Sequence, residues 1–114
     1  MTNWTTLPHE NLVAFQVAKQ LLCIVRDARI ASPKLRDQAL RAAQSACLNI
    51  AEAAGRYGAA DKARVFAIAR GEGCEAAAAL DIAATSGECA DAAAQEAGAA
   101  ARRLYALLTG LIRK

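Results

Sequence analysis

Proline and glycine divide this chain into long uninterrupted stretches. Its two prolines are Pro8 and Pro33, and its glycines stand at Gly55, Gly58, Gly71, Gly73, Gly87, Gly98 and Gly110. Helix-breaking residues are therefore confined to a few places, and alanine decides what lies between them. It supplies 31 of the 114 residues; it is the strongest helix former, and the β-branched apolar residues that favour strands are sparse. The expected fold is all-α, with residues 1–114 forming one domain of a size at which partners often add stability.

Four helices follow from the punctuation. The first runs from Asn11 to Arg29, entered after Pro8. Ser32-Pro33 supplies an N-cap and a first-turn proline for the second, which runs to about Arg56 and stops at Gly55 to Gly58. Asp61 can cap a third helix that ends near Ser86-Gly87, and the fourth occupies Glu88 to about Ile112. Connections this short force neighbouring helices antiparallel, which predicts an up-down-up-down four-helix bundle. No internal repeat or linker interrupts it. The alanine tracts Ala76 to Ala79 and Ala92 to Ala101 keep helical spacing and read as close-packing surfaces.

Apolar spacing places the core. Leu35, Ala39, Ala42, Ala46, Ile50 and Ala53 form one stripe on the second helix, and Ala63, Phe66, Ala69, Gly73, Ala77 and Leu80 form its counterpart on the third. On the first helix Leu12, Val13, Phe15, Val17, Leu21, Leu22, Ile24 and Val25 cover most of the circumference. A helix apolar nearly all round is expected to be buried on more than one side, which predicts self-association.

The second helix also carries a polar stripe. Arg41, Ser45, Asn49, Glu52 and Arg56 are spaced by four, four, three and four residues, and Glu75 on the third helix is placed to reach them. Such a stripe is either a hydrogen-bond network that fixes helix register or subunit contacts, or a ligand or catalytic site. Glu52 and Glu75 have no nucleophile or metal-binding companion, so the expectation is a structural network of Arg41, Ser45, Asn49, Glu52 and Glu75 and no enzyme activity.

The stretch from Arg41 to Arg56, R-A-A-Q-S-A-C-L-N-I-A-E-A-A-G-R, followed by Gly71 and Glu75, resembles the bacterial four-helix bundle family named for the protein encoded in 23S ribosomal RNA intervening sequences. That family carries R-A-x-x-S-I-x-x-N-I-A-E-G-x-G-R here, and Arg41, Ala42, Ser45, Asn49, Ile50, Ala51, Glu52, Gly55 and Arg56 match it without a gap. The chain departs from it at Ala46 (usually Ile), Ala53 (usually Gly), Glu72 (often Ser) and Ala77 (often a second Glu). The last departure removes a carboxylate that a catalytic pair would need. The resemblance implies a homopentameric ring. The wider family is similar to the accessory variability protein of diversity-generating retroelements, which implies RNA or DNA and a reverse-transcriptase-like protein as partners.

Other chemistries find little footing. The one histidine, His9, excludes a di-iron bundle, which needs Glu-x-x-His pairs. Cys23, Cys47, Cys74 and Cys89 fall one per helix, but helical rise puts Cys89 far from the other three and no C-x-x-C pair exists. Free, buried thiols in a reducing cytosol are expected, with no metal and no cofactor. The glycines follow no phosphate-loop spacing. No run of 18 apolar residues occurs, since Lys19 and Arg26 bracket the most hydrophobic segment, so no membrane span is expected. The N-terminus has neither a basic start nor an apolar core, and a cytoplasmic protein is expected.

Charge gives the hint of a partner. The formal net charge is +3 and the pI about 8.8. Alternating helices would gather Arg56, Lys62, Arg64, Arg102, Arg103, Arg113 and Lys114 at one end against Glu10, Glu52 and Asp61. At the other, Arg26, Arg29, Lys34 and Arg36 face Asp27, Asp37, Asp81, Glu88 and Asp91. A basic end repeated around a ring suits phosphate backbones, and Arg56, Lys62, Arg64, Arg102 and Arg103 are the nucleic-acid-binding candidates. Equally, Arg102 to Lys114 complement the dipole of the last helix and solubilise it. Tyr57 and Tyr105 are either stacking platforms for bases or core residues with a wet hydroxyl.

Overall fold

A computed structural model describes residues 5–114; the start of the N-terminal segment, residues 1–4, lies outside the described residues. The chain forms four helices, α1 (Val13–Ala28), α2 (Pro33–Gly55), α3 (Ala59–Thr85) and α4 (Asp91–Ile112), and no strand occurs among the described residues. They pack side by side as an all-α bundle with extents of 52 × 26 × 21 Å.

The helix boundaries have local causes. Ser32 caps α2 as expected, its Oγ accepting the Leu35 N–H at 3.4 Å, with Pro33 in the first turn. Helix α1 stops because Arg29 adopts the left-handed conformation, φ 50°, while its N–H donates to Arg26 O at 3.4 Å. Glycine occupies that conformation without the Cβ clash an arginine suffers. Arg29→Gly is therefore expected to raise the unfolding free energy by about 0.5–1 kcal/mol in urea titrations, part of the relief being offset by a more flexible unfolded chain.

The starts of three helices differ from the sequence reading. Helix α1 opens at Val13, two residues after Asn11, with Leu12 at its N-cap. Gly58, not Asp61, occupies the N-cap position of α3, and no side chain caps this helix. Asp61 lies within the first turn, where its carboxylate is engaged by Arg56 and Arg64 and still complements the helix dipole. Helix α4 begins at Asp91, three residues after Glu88, because residues 87 and 88 close α3 instead. Gly87, at φ 74°, donates its N–H to Ala84 O at 3.1 Å, and Glu88 donates to Ala83 O at 2.8 Å, the paired bonds that end a helix on a left-handed glycine. The Glu88 carbonyl then accepts the Ala31 N–H at 3.1 Å, which ties the α3–α4 connection to the α1–α2 connection.

The core joins a few large residues to many alanines. Leu21, Ile30, Ile50, Leu80, Leu104 and Leu108 are fully buried, and so are Ala18, Ala39, Ala43, Ala46, Ala53, Ala69, Ala76, Ala83 and Ala97. Small side chains let backbones approach: a Cβ built on buried Gly73 in α3 would meet Leu104 Cδ2 of α4 at 3.0 Å. The stripes read on α2 and α3 face this core, with Leu35, Ala63 and Ala77 half-buried at its margin.

Helix α1 is less exposed than its composition implied. Val17, Leu21 and Val25 are buried, while Leu12, Phe15, Leu22 and Ile24 are half-buried and pack against the core. Only Val13 of that set is exposed. The bundle covers most of α1 because both α2 and α4 flank it. Large apolar side chains instead reach solvent on α2 and α3, at Leu48 (70% exposed), Ile68 and Ile82.

Candidate functional site

The polar stripe of α2 lies on the outside of the bundle, since no polar or charged side chain is buried among the described residues. It breaks into two parts. Asn49 Nδ2 donates to Ser45 O at 2.9 Å and to Ser45 Oγ at 3.0 Å, a contact between successive turns of one helix. Further along, Glu52, Arg56, Asp61 and Arg64 form a chain of ion pairs around the α2–α3 connection. Arg56 donates to Glu52 at 2.7 Å and to Asp61 at 2.9 Å, and Arg64 donates to the other Asp61 oxygen at 3.1 Å. Arg41 and Glu75 are exposed and join neither part. The structure thus brings together Ser45 with Asn49 and Glu52 with Arg56, but does not link the five network residues to one another.

The ion-pair chain has an acid-sensitive member. Hydrogen bonds from Arg56 and then Arg64 hold the Asp61 carboxyl below its ordinary value, and Arg26 does the same for Asp27. A carboxyl depressed in the folded state contributes stability above its unfolded pKa of about 3.9 and loses it as pH falls through the folded value. Thermal unfolding midpoints are expected to be level above about pH 5 as far as these groups are concerned, and to fall on further acidification. Asp61→Asn, measured across the same series, should show a shallower acid decline than the parent chain.

Around the connection the charges are not all paired. One cavity is lined by Pro8, by Ala54 at the end of α2, by Lys62 and Phe66 of α3, and by Leu111 and Lys114. The α2–α3 connection, the entry to α1 and the last residues of the chain therefore meet at one end. Lys62 donates to Ala54 O at 3.1 Å, satisfying one of the terminal carbonyls of α2. With Glu52 and Asp61 taken up by Arg56 and Arg64, Lys62, Arg113 and Lys114 stand against Glu10, whose carboxylate already accepts the Leu7 N–H. Tyr57, in the connection itself, is 99% exposed.

Arg102 lies elsewhere. It lines a second groove, between α3 and α4, together with Asp81, Thr85, Asp91 and Gln95, and its guanidinium lies along Gly98, one turn toward the start of α4. Arg103 is exposed on the same helix. Spacing along the chain put both at the basic end, but about 1.5 Å of rise per residue leaves them well short of Lys114. Of the five candidate cations, then, Arg56, Lys62 and Arg64 cluster near the connection and Arg102 does not. Tyr105 is partly covered, with the Arg70 guanidinium 4.8 Å from its ring centroid while Arg70 Nη1 donates to Thr109 Oγ1 at 2.9 Å.

The thiols are free, but only Cys47 is buried: Cys23 and Cys74 are exposed and Cys89 is intermediate. The expectation of buried thiols holds for one of the four: Cys23 and Cys74 lie on exposed helix faces, and Cys89 is not on the fourth helix but in the α3–α4 connection, half-buried against the core. Burial pushes the Cys47 thiol up from its ordinary value, and Cys89 is also raised, by burial and then by Asp91 and Glu88. Neither is an activated nucleophile, since the thiolate is the reactive form. Among the described residues no group of three or more His, Cys, Asp or Glu side chains is placed to hold a metal ion, and no helix is long and apolar enough to cross a membrane.

No curated protein matches this chain. The family described as 23S rRNA-intervening sequence protein matches it over residues 10–110.

Proposed function

The chain belongs to the 23S rRNA-intervening sequence protein family, and from that premise we propose that it is a non-catalytic, homo-oligomeric module binding RNA or DNA with low sequence specificity. The observation that carries this reading is Tyr57, 99% exposed in the α2–α3 connection, at the end of the bundle where Lys62 and Lys114 border one cavity. An exposed aromatic face at an end where cations outnumber carboxylates offers stacking and phosphate attraction together. Arg56 and Arg64 supply less, because carboxylates already hold them, and Arg102 and Arg103 extend the surface along α4. In this reading the helices alternate direction, which the pairing of Arg70 with Thr109 and of Gly73 with Leu104 supports. Five copies in a ring would repeat the cationic end, in the cytoplasm, where a reverse-transcriptase-like protein is a fitting partner.

The test is fluorescence anisotropy with labelled single-stranded RNA, structured RNA and duplex DNA, titrated with salt. Affinity is expected to fall steeply with salt, and Arg113→Glu/Lys114→Glu should lower the log–log slope by about 2. Tyr57→Ala should weaken single-strand binding by about 1–3 kcal/mol and leave duplex binding nearly unchanged. Arg102→Glu/Arg103→Glu reports how far the surface extends. Absence of binding at low salt would sink the reading and leave its alternative, an assembly scaffold with no nucleic-acid role. Leu48, Ile68 and Ile82, exposed on α2 and α3, favour that alternative as apolar contacts for another protein surface.

A further inference from the structure

The cavity at the cationic end is built from two kinds of surface. Its volume is about 360 Å³, within the range of small-molecule sites. The walls are mainly apolar, from Pro8, Leu12, Phe66 and Leu111, and two lysines, Lys62 and Lys114, complete the lining. Lys62 spends one of its three donors on Ala54 O, which fixes its position and leaves two donors without a protein partner among the described residues. Asp61, its neighbour in sequence, is held by Arg56 and Arg64 and so does not compensate it.

A half-open, mainly apolar groove bordered by cationic side chains suits a ligand that is apolar along its length and charged at one end. Here the charge must be negative. We propose that this cavity binds an amphipathic anion, a free aliphatic carboxylate whose chain lies against Leu12, Phe66 and Leu111 and whose head group meets Lys62 and Lys114. The site does not depend on nucleic-acid binding, and either property survives failure of the other.

Isothermal titration of the full chain with octanoate, octanol and octylamine tests it. Octanoate is expected to bind saturably, about tenfold or more tighter than octanol, with no saturable binding of octylamine. Lys62→Gln keeps a donor for Ala54 O and should weaken octanoate about fivefold or more, approaching the affinity for octanol when combined with Lys114→Gln. Ala59→Phe, at an exposed position on the cavity rim, should obstruct binding while circular dichroism shows the helices intact. Equal binding of octanoate and octylamine, no effect of the lysine substitutions, or no saturable binding at all would overturn the proposal. So would co-sedimentation with phosphatidylglycerol vesicles without octanoate binding, which would assign these lysines to a lipid surface.

Discussion

Leu80→Ala should lower the unfolding free energy by about 3–4 kcal/mol, the upper part of the range for removing a buried leucine. Leu80 is completely buried in α3, and many of its fellow core residues are alanines. A cavity closes when neighbouring side chains swing into it or when the backbones behind them move together. Alanine has none, and the backbones behind it are already close, so the space left by Leu80 would persist. Urea titrations at two protein concentrations measure the loss and separate it from any change in association. A loss below about 1 kcal/mol with an unchanged m value would mean that the helices slide together to fill the gap, contradicting the packing described.

Gly73 predicts the opposite kind of damage. Gly73→Leu should destabilise by about 3 kcal/mol through overpacking, because even the first added carbon meets Leu104 Cδ2 at 3.0 Å. Gly73→Ala should be nearly neutral: the contacted atom is the end of a flexible side chain, and alanine gains about 1 kcal/mol of helix propensity. Shortening the opposing residue supplies the control. In Leu104→Ala the larger side chain has room, so the double variant Gly73→Leu/Leu104→Ala should be more stable than the sum of the single losses, a coupling of about 1–2 kcal/mol in a double-mutant cycle. Simple additivity would place the clash elsewhere.

Much of this architecture was legible from punctuation and spacing. Ser32-Pro33 marked the start of α2 because its cap is local, readable from adjacent residues alone. Asp61 misled because its carboxylate had two destinations, the free N–H groups of α3 or the guanidinium of Arg56. Sequence distance does not rank them. Glu88 reads as the start of a helix because Gly87 reads as the last residue of a boundary, whereas closing α3 requires the next residue as well.

The site was less legible than the fold. Five polar residues at helical spacing do share a side of α2, but spacing cannot say whether that side faces a core or solvent. Only the density of alanine on the other side settles it, with the apolar stripe taking the interior. Arg102 shows the same limit for charge: assigning a long side chain to an end of the molecule ignores the direction in which it lies, here back along Gly98. The cavity at Lys62 had no sequence signal, because it is assembled from three separate parts of the chain.

The alanine-lined core also changes what ordering costs. A buried leucine, methionine or lysine gives up rotamer freedom when its neighbours close around it, whereas alanine has no rotamers to lose. Each helix contact built from Ala18, Ala43, Ala69, Ala76 or Ala97 therefore forgoes apolar area but forgoes almost no side-chain entropy. Warming magnifies the cost of ordering for backbone and side chains alike, and in this core the side-chain share is small. A bundle seated on bare backbones has less of it to lose.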